Sequence, residues 1–132
     1  MVARRAGKTP PSSPRRPRKT LFWSQRQPDG TYRLGFTRAA QRRLGELVYL
    51  RCPKIGRRYG PQEPALTLES EKCVRELTLP VAGRVVETNR ELERDPSAVN
   101  RDPYGKGWVF VVRPQRSRTL ESATQAPPRN AR

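Results

Sequence analysis

Turn signals interrupt residues 21–112 so often that only short secondary-structure elements can form between them. Pro28-Asp29-Gly30, Lys54-Ile55-Gly56 and residues 102–107 each combine residue types that favour tight turns. The intervening segments are short runs rich in β-branched, aromatic and other apolar residues, which is typical of strands. The predicted strands are residues 21–24, 31–36, 46–52, 64–68, 74–81, 84–89 and 108–112. About seven short strands between Gly/Pro turns predict an all-β sandwich or barrel.

One short helix is predicted within this β pattern. Thr37 can cap a helix that runs over residues 38–44, since Ala39 and Ala40 favour it and Gly45 ends it. The polar connection over residues 90–100 has room for one helical turn at most.

Most of the positive charge lies outside the predicted domain. The 132 residues carry a formal charge of +16, of which residues 1–20 contribute +7 and residues 113–132 contribute +4. Both segments lack hydrophobic periodicity, so we predict a disordered basic arm over 1–20, a folded domain over 21–113 and a disordered tail over 114–132. The arm could be an inert solubilising segment, could contact nucleic acid or an acidic partner, or could be a mitochondrial transit peptide. Its four prolines oppose the helix that a transit peptide forms.

The residue types present exclude several kinds of site. The chain has no histidine and two cysteines, Cys52 and Cys73. A structural zinc site therefore lacks ligands, and a histidine-based catalytic triad is impossible. One possible cysteine pair makes a disulfide framework improbable and favours a reducing, cytosol-like compartment. No apolar run reaches transmembrane length, and no constellation of acid, base and nucleophile indicates catalysis. Cys52, Trp23 and Trp108 are expected in the core, and Cys73 is expected to be a small, partly buried strand residue.

A lysine is predicted to lie at the tip of a hairpin near the middle of the chain. The polar segment Glu69-Ser70-Glu71-Lys72-Cys73 separates two strand-like runs, which is the pattern of a β-hairpin. Lys72 then extends its amine into solvent on a tight turn, where a modifying enzyme could grip the backbone. A solvated turn lysine without function is the simpler interpretation of this segment taken alone.

Ordered motifs over about ninety residues resemble the H protein of the glycine cleavage system, a lipoyl carrier. Residues 69–72 match the family pattern Glu-Ser-x-Lys, whose lysine carries lipoate. The other matching segments are Leu34-Gly35-Phe36-Thr37-Arg38-Ala39-Ala40-Gln41, Leu44-Gly45-Glu46-Leu47-Val48-Tyr49, Pro53-Lys54-Ile55-Gly56, Pro80-Val81-Ala82-Gly83-Arg84-Val85-Val86-Glu87-Thr88-Asn89, Pro96, Val99-Asn100, Pro103-Tyr104-Gly105 and Gly107-Trp108. The resemblance implies a flattened barrel-sandwich hybrid of the lipoyl/biotinyl type.

The same resemblance implies carriage rather than catalysis. Lipoate would be attached to Lys72, and Glu69, Ser70, Gly56 and Gly83 would serve recognition by the lipoyl/octanoyl transferase. A biotin carrier would show methionine on both sides of the lysine, so lipoate is favoured. The implied partners are glycine decarboxylase with its pyridoxal phosphate, aminomethyltransferase, and dihydrolipoamide dehydrogenase. A bacterial cytoplasm is the expected location, with a mitochondrion as the alternative and no membrane partner.

The sequence also departs from the family pattern. The family's His-x-Trp segment keeps only Trp23, the family's C-terminal helices are expected to be missing after Arg113, and Cys73 replaces a small apolar residue beside the lysine. The chain is also basic, whereas members of the family are usually acidic. These departures leave open an alternative function, in which the fold is a non-lipoylated interaction module whose basic tails bind nucleic acid or an acidic partner.

Overall fold

The structure, a computed structural model, describes residues 21–128, except for the side chains of 117–119. This part of the chain forms eight strands and four short helices. In chain order they are β1 (Phe22–Arg26), β2 (Tyr32–Phe36), α1 (Arg38–Leu44), β3 (Leu47–Arg51), β4 (Arg58–Tyr59), β5 (Pro64–Ser70), β6 (Val74–Thr78), β7 (Gly83–Thr88), α2 (Glu91–Arg94), α3 (Ser97–Arg101), β8 (Phe110–Pro114) and α4 (Ser117–Ala123). The all-β prediction is confirmed, but there are four short helices where one was predicted.

The strands form two open antiparallel sheets. One has five strands in the order β1-β2-β8-β7-β4, and the other has three in the order β3-β5-β6. Buried side chains from both sheets form one hydrophobic cluster, to which the larger sheet contributes Phe22, Phe36 and Phe110 and the smaller one Leu66 and Leu68. Each such side chain contributes about 1.5–3 kcal/mol by its burial. The cluster therefore holds the smaller sheet against the larger one.

Helix α1 has the bounds that the sequence predicts, because both of its ends are set locally. The Ala40 N–H donates to Thr37 Oγ1 at 3.0 Å, which is an N-cap bond. Gly45 ends the helix with a φ of +93°, a backbone conformation that side chains other than glycine rarely adopt. The helix therefore ends at a fixed position, directly before β3.

The prediction of a disordered tail from residue 114 is wrong for residues 114–128. Leu120 of helix α4 is fully buried in the core cluster. Beyond the helix, the Thr124 and Ser24 hydroxyls lie 2.6 Å apart, and the Gln125 N–H donates to Phe22 O at 3.1 Å. The segment therefore packs along β1, and the expectation that no helix follows Arg113 is corrected.

Three smaller differences have tertiary causes. The two-residue strand β4 was not predicted, because it exists only through its pairing with β7. The 90–100 connection contributes two short helices, whose Leu92 and Val99 are buried. Trp108, which was expected in the core, is half-buried under the Arg33 guanidinium, 4.5 Å from the ring centre.

Some predictions fall outside the described part of the chain. They are the basic arm over 1–20, with its proposed contacts to nucleic acid or an acidic partner, and residues 129–132 of the tail. Within residues 21–128, no helix has the length and apolar character needed to cross a membrane.

Candidate functional site

Lys72 lies in the turn that joins β5 to β6, as the hairpin prediction required. The pairing of the two strands closes at Glu69 and Val74, and the residues beyond Ser70 form the turn. Lys72 and the preceding Glu71 are exposed. The lysine is thus presented at the end of the three-stranded sheet.

A single hydroxyl group organises this turn. Ser70 Oγ accepts hydrogen bonds from the backbone N–H groups of Lys72 at 3.0 Å and Cys73 at 3.1 Å. The same hydroxyl donates to Leu44 O at 2.5 Å, and the Ser70 N–H donates to Cys73 O at 2.8 Å. Because Leu44 is the last residue of α1, Ser70 both closes the turn and ties it to the body of the protein.

Glu71 provides a second attachment of the turn to the body. Its backbone N–H donates to Glu46 O at 3.2 Å, and its carboxylate lies 3.4 Å from the Glu46 nitrogen. One residue further along, Leu47 pairs with Ser70 at the start of the β3–β5 ladder. The turn therefore rests on the junction between α1 and β3.

Gly45 makes room for the stem of Lys72. A Cβ atom at this glycine would lie 3.2 Å from Lys72 Cγ and 3.3 Å from Lys72 Cδ. The helix-capping glycine thus also supports the lysine side chain. Sequence reasoning identified Gly45 only as a helix end, because nothing local indicates that it contacts a residue far along the chain.

Three glutamates share the hairpin with Lys72, but none of the described ion pairs joins them to its amine. Glu69, Glu71 and Glu76 are all exposed on the same hairpin. The ion pairs among the described residues join other groups, so none includes Lys72. An uncommitted primary amine on an ordered turn can form an amide with an activated acyl group.

Gly56 and Gly83 have structural contacts in the other sheet. The Gly56 N–H donates to Val85 O at 2.7 Å, and Gly56 has a φ of +87°. A Cβ atom on Gly83 would lie 2.7 Å from Arg113 O, so only glycine permits β7 and β8 to approach this closely. These contacts explain why both positions are glycine without any role in binding the modifying enzyme. The role of Gly56 and Gly83 in recognition by that enzyme stays a prediction.

The two cysteines have different environments. Burial, with the Glu93 carboxylate adding to it, raises the pKa of the Cys52 thiol to about 12, so this thiol stays neutral. Cys73 is half-buried in the turn, with its sulfur 3.7 Å from Ser70 Oγ and 3.8 Å from Leu44 O. The prediction of a core Cys52 is confirmed, and Cys73 is partly buried as expected, although it lies in the turn and not in a strand.

Asn100 fixes the start of β3 and was not identified as part of the site. Its side chain accepts from the Leu47 N–H at 3.0 Å and donates to Leu47 O at 3.2 Å. These two hydrogen bonds take the place of a neighbouring strand at Leu47, the residue that pairs with Ser70. Asn100 thus stabilises the platform on which the Lys72 turn rests.

Trp23, the remnant of the His-x-Trp segment, is buried. Its indole nitrogen donates to Pro103 O at 3.0 Å, and its ring lies against Gly35, where a Cβ atom would come within 2.8 Å. The tryptophan therefore has a packing role, as the sequence predicted.

The sequence and the fold both match known proteins. A family described as "Glycine cleavage H-protein" matches residues 15–129. The glycine cleavage system H protein of Alkalilimnicola ehrlichii is 42% identical over 103 residues, which cover 78% of this chain and 79% of that protein. The H protein of Oceanobacillus iheyensis is also 42% identical, over 101 residues that cover 76% of this chain and 80% of that protein.

A solved structure agrees with the sequence matches. The crystal structure of a glycine cleavage system H protein from Mycobacterium marinum superposes with a TM-score of 0.66 at 34% identity, covering 74% of this chain and 80% of that one. The chain therefore belongs to the glycine cleavage H-protein family, as a carrier component and not an enzyme.

Proposed function

We propose that Lys72 carries lipoate and that this chain shuttles an aminomethyl group on the lipoyl arm during glycine decarboxylation. The observation that supports this proposal most strongly is the turn itself. The exposed Lys72 lies on a backbone fixed by the three hydrogen bonds of the Ser70 hydroxyl. A fixed backbone lets a transferase bring one lysine among several into its active site.

The residues around Lys72 fit a covalent acyl group. The stem of the side chain lies over Gly45, and the described ion pairs leave the amine uncommitted. In the acylation step, the deprotonated Nζ attacks the carbonyl of an octanoyl or lipoyl thioester. The C–N bond forms, the C–S bond breaks, and the thiol leaves with the proton that the amine loses. The cation of Lys72 becomes a neutral amide.

The chain's own contribution to the cycle is to hold and present the arm. Lipoate, once bound, supplies a dithiolane that accepts the aminomethyl group and is reduced in doing so. Tethering keeps this group at a high effective concentration as it passes between active sites. The turn, anchored by Ser70 and Glu71, sets the point from which the arm extends.

The proposed partners are the remaining components of the system. Glycine decarboxylase, with pyridoxal phosphate, loads the aminomethyl group onto the arm. Aminomethyltransferase passes the one-carbon unit to tetrahydrofolate and releases ammonia, and dihydrolipoamide dehydrogenase reoxidises the dithiol. Glu69, Ser70, Gly56 and Gly83 are proposed to serve recognition by the lipoyl/octanoyl transferase, and a bacterial cytoplasm is the proposed location.

Intact-mass measurement after expression in a lipoylating host tests the attachment. We expect a single octanoyl or lipoyl adduct on the wild-type chain and none on Lys72→Arg. Lys54→Arg is the matched control, because Lys54 is also an exposed lysine near a Gly-containing turn, and it should keep the adduct. A wild-type chain without any adduct would contradict the proposal.

A second measurement tests carriage. The lipoylated chain, mixed with glycine decarboxylase and glycine, should gain an aminomethyl group, detected by mass. If an adduct forms on Lys72 but never accepts the aminomethyl group, the proposed attachment site stands and the proposed role in glycine cleavage is rejected.

A further inference from the structure

Exposed apolar side chains concentrate beside Lys72. Among the described residues, the large hydrophobic side chains that remain exposed are Val48 (61%), Tyr49 (40%), Ile55 (53%) and Val74 (67%). Three of these four lie next to the Lys72 hairpin, and Ile55 lies in the loop before β4. Isolated surface hydrophobics are ordinary, but a group beside one candidate site needs an explanation.

Strand register places Val48, Tyr49 and Val74 on one face of the sheet. Tyr49 pairs with Glu69, and Glu69 pairs with Val74, so Tyr49, Glu69 and Val74 form one row across β3, β5 and β6. Adjacent strands are about 4.8 Å apart, which puts Tyr49 and Val74 about 10 Å apart with Glu69 between them. The register shifts between Leu47 and Tyr49, so Val48 is an extra residue at a bulge beside this row.

This face is the outer surface of the smaller sheet. Leu50 and Leu68, whose side chains point to the opposite face in the neighbouring row, are fully buried in the core. The core is therefore complete without Val48, Tyr49 and Val74. Folding therefore leaves the apolar surface of these three side chains exposed to water.

We propose that Val48, Tyr49 and Val74 form the docking patch for the transferase that acylates Lys72. This inference rests on the proposed attachment of lipoate to Lys72. An enzyme that takes the Lys72 amine into its active site must cover the surface around the hairpin tip, and the patch begins one ladder pair away from Ser70. The patch combines a tyrosine and two apolar side chains with the carboxylate of Glu69, which lies between Tyr49 and Val74, and tyrosine is enriched among interface hot spots.

Charge specifies the rim of the partner surface. Exposed carboxylates lie within the patch, at Glu69, and around it, at Glu46, Glu71 and Glu76, and the described ion pairs include none of them. A transferase that offers apolar contacts together with Arg or Lys side chains complements this arrangement. The carboxylates then guide the encounter, and the apolar patch supplies the lifetime of the complex.

Steady-state acylation kinetics test the patch. A lipoyl/octanoyl transferase supplied with an octanoyl thioester is assayed against wild type, Tyr49→Ala, Val74→Ser and the double variant. We expect KM for the carrier to rise about tenfold for each single variant and kcat to change less than about threefold. Ile55→Ser is the matched control, since it removes an equally exposed apolar side chain away from the hairpin, and its KM should stay at the wild-type value.

The outcomes separate this inference from the proposed function. A wild-type chain that is never acylated overturns both. Normal acylation of wild type and of all patch variants overturns the patch alone. Normal acylation of the variants with impaired loading by glycine decarboxylase assigns the patch to that enzyme and also overturns the inference. Val74→Thr, which keeps the β-branched shape, provides a conservative variant should Val74→Ser disturb the strand.

Discussion

Two hairpin turns of this protein are held in different ways. The turn between β1 and β2 closes largely on itself. The Gly30 N–H donates to Gln27 O at 3.0 Å, and Asp29 Oδ1 accepts from the Thr31 N–H at 3.0 Å. Arg113 adds a single long contact of 3.3 Å to Asp29 O from the neighbouring strand. This turn needs little beyond its own residues.

The turn that carries Lys72 depends on residues far away in sequence. Ser70 donates to Leu44 O, the Glu71 N–H donates to Glu46 O, and the lysine stem lies over Gly45. A turn that presents a side chain is thus anchored to distant residues, whereas the other turn is closed mainly by its own residues. Anchoring fixes the direction in which the lysine extends, and a transferase that must select one amine requires that direction.

The largest effect is expected from Gly45→Ala. The backbone of Gly45 has φ +93° and ψ 178°, a region almost restricted to glycine, and the added Cβ would contact Lys72 Cγ at 3.2 Å. We expect a loss of up to about 3 kcal/mol in the free energy of unfolding. Acylation of Lys72 should slow as well, because the lysine stem is displaced.

Gly30→Ala, in the turn between β1 and β2, is the control for Gly45→Ala. Gly30 also has a φ of +87°, but its added Cβ would meet only the Arg113 side chain, at an ordinary contact distance of 3.9 Å. It should lose stability through strain and still be acylated at the wild-type rate under native conditions. Equal slowing in both variants would mean that contact with Lys72 is irrelevant. Urea unfolding and mass spectrometry provide the two readouts.

Ser70→Ala should remove the anchor and leave the strands intact. Leu44 O loses its donor, and the N–H groups of Lys72 and Cys73 lose their acceptor. The unpaired groups should cost about 1–2 kcal/mol in the free energy of unfolding, with slower acylation of Lys72. Thr31→Val at the other turn removes one local bond to Asp29 and should leave acylation unchanged. An unchanged acylation rate for Ser70→Ala would refute the anchoring role.

Thiol alkylation should distinguish the two cysteines of the folded protein. Because burial raises the pKa of Cys52 to about 12, this thiol has almost no thiolate at pH 8 and little access. Cys73 is half-buried in the Lys72 turn and should be labelled first by iodoacetamide. Peptide mapping over time measures both rates, with Cys73→Ser as the control. Labelling of Cys52 before Cys73 would show that the turn is more closed than the structure indicates.

The same pKa shift gives a direction for alkaline stability. The folded pKa of Cys52 lies above its ordinary value of 9.0. Its contribution to stability is therefore complete below pH 9 and is lost as pH rises toward 12. Cys52→Ala should flatten this part of the stability profile.

Acidification should affect the two turns unequally, and this is the smallest predicted effect. The Thr31 side-chain hydrogen bond lowers the pKa of Asp29, whose contribution is present above 3.8 and is lost as pH falls through the folded value. The N–H groups of Lys72 and Cys73 donate instead to the Ser70 hydroxyl, which does not titrate in this range. Amide NMR between pH 5 and 2 should show the Thr31 signal moving and those of Lys72 and Cys73 moving less. Equal movement at both turns would contradict the comparison.

The same contrast between local and long-range contacts explains which regions could be predicted from the sequence. Helix α1 and the Pro28-Asp29-Gly30 turn were predicted because their determinants are adjacent in the chain. The hairpin position of Lys72 was predicted from its flanking strands. The support given by Gly45 and Asn100 was not, because it depends on contacts between residues about 25 to 50 positions apart.

The C-terminal segment was mispredicted for a related physical reason. Helix α4 has seven residues, too few to be stable alone, and it contributes Leu120 to a core built by other elements. The Thr124 contact with Ser24 likewise appears only in the folded chain. The composition of this segment, rich in Pro, Arg and Ser, suggested disorder. Over residues 114–128, packing against the folded domain outweighs that tendency.

The most direct test of the account is fragmentation mass spectrometry that locates the acyl group after reaction with a lipoyl/octanoyl transferase. Wild type, Ser70→Ala and Lys54→Arg are acylated side by side and digested. We predict a single adduct on Lys72, undiminished in Lys54→Arg and reduced in Ser70→Ala. An adduct on another lysine, or equal modification of Lys72 with and without the Ser70 hydroxyl, would contradict the claim that an anchored turn presents Lys72 for modification.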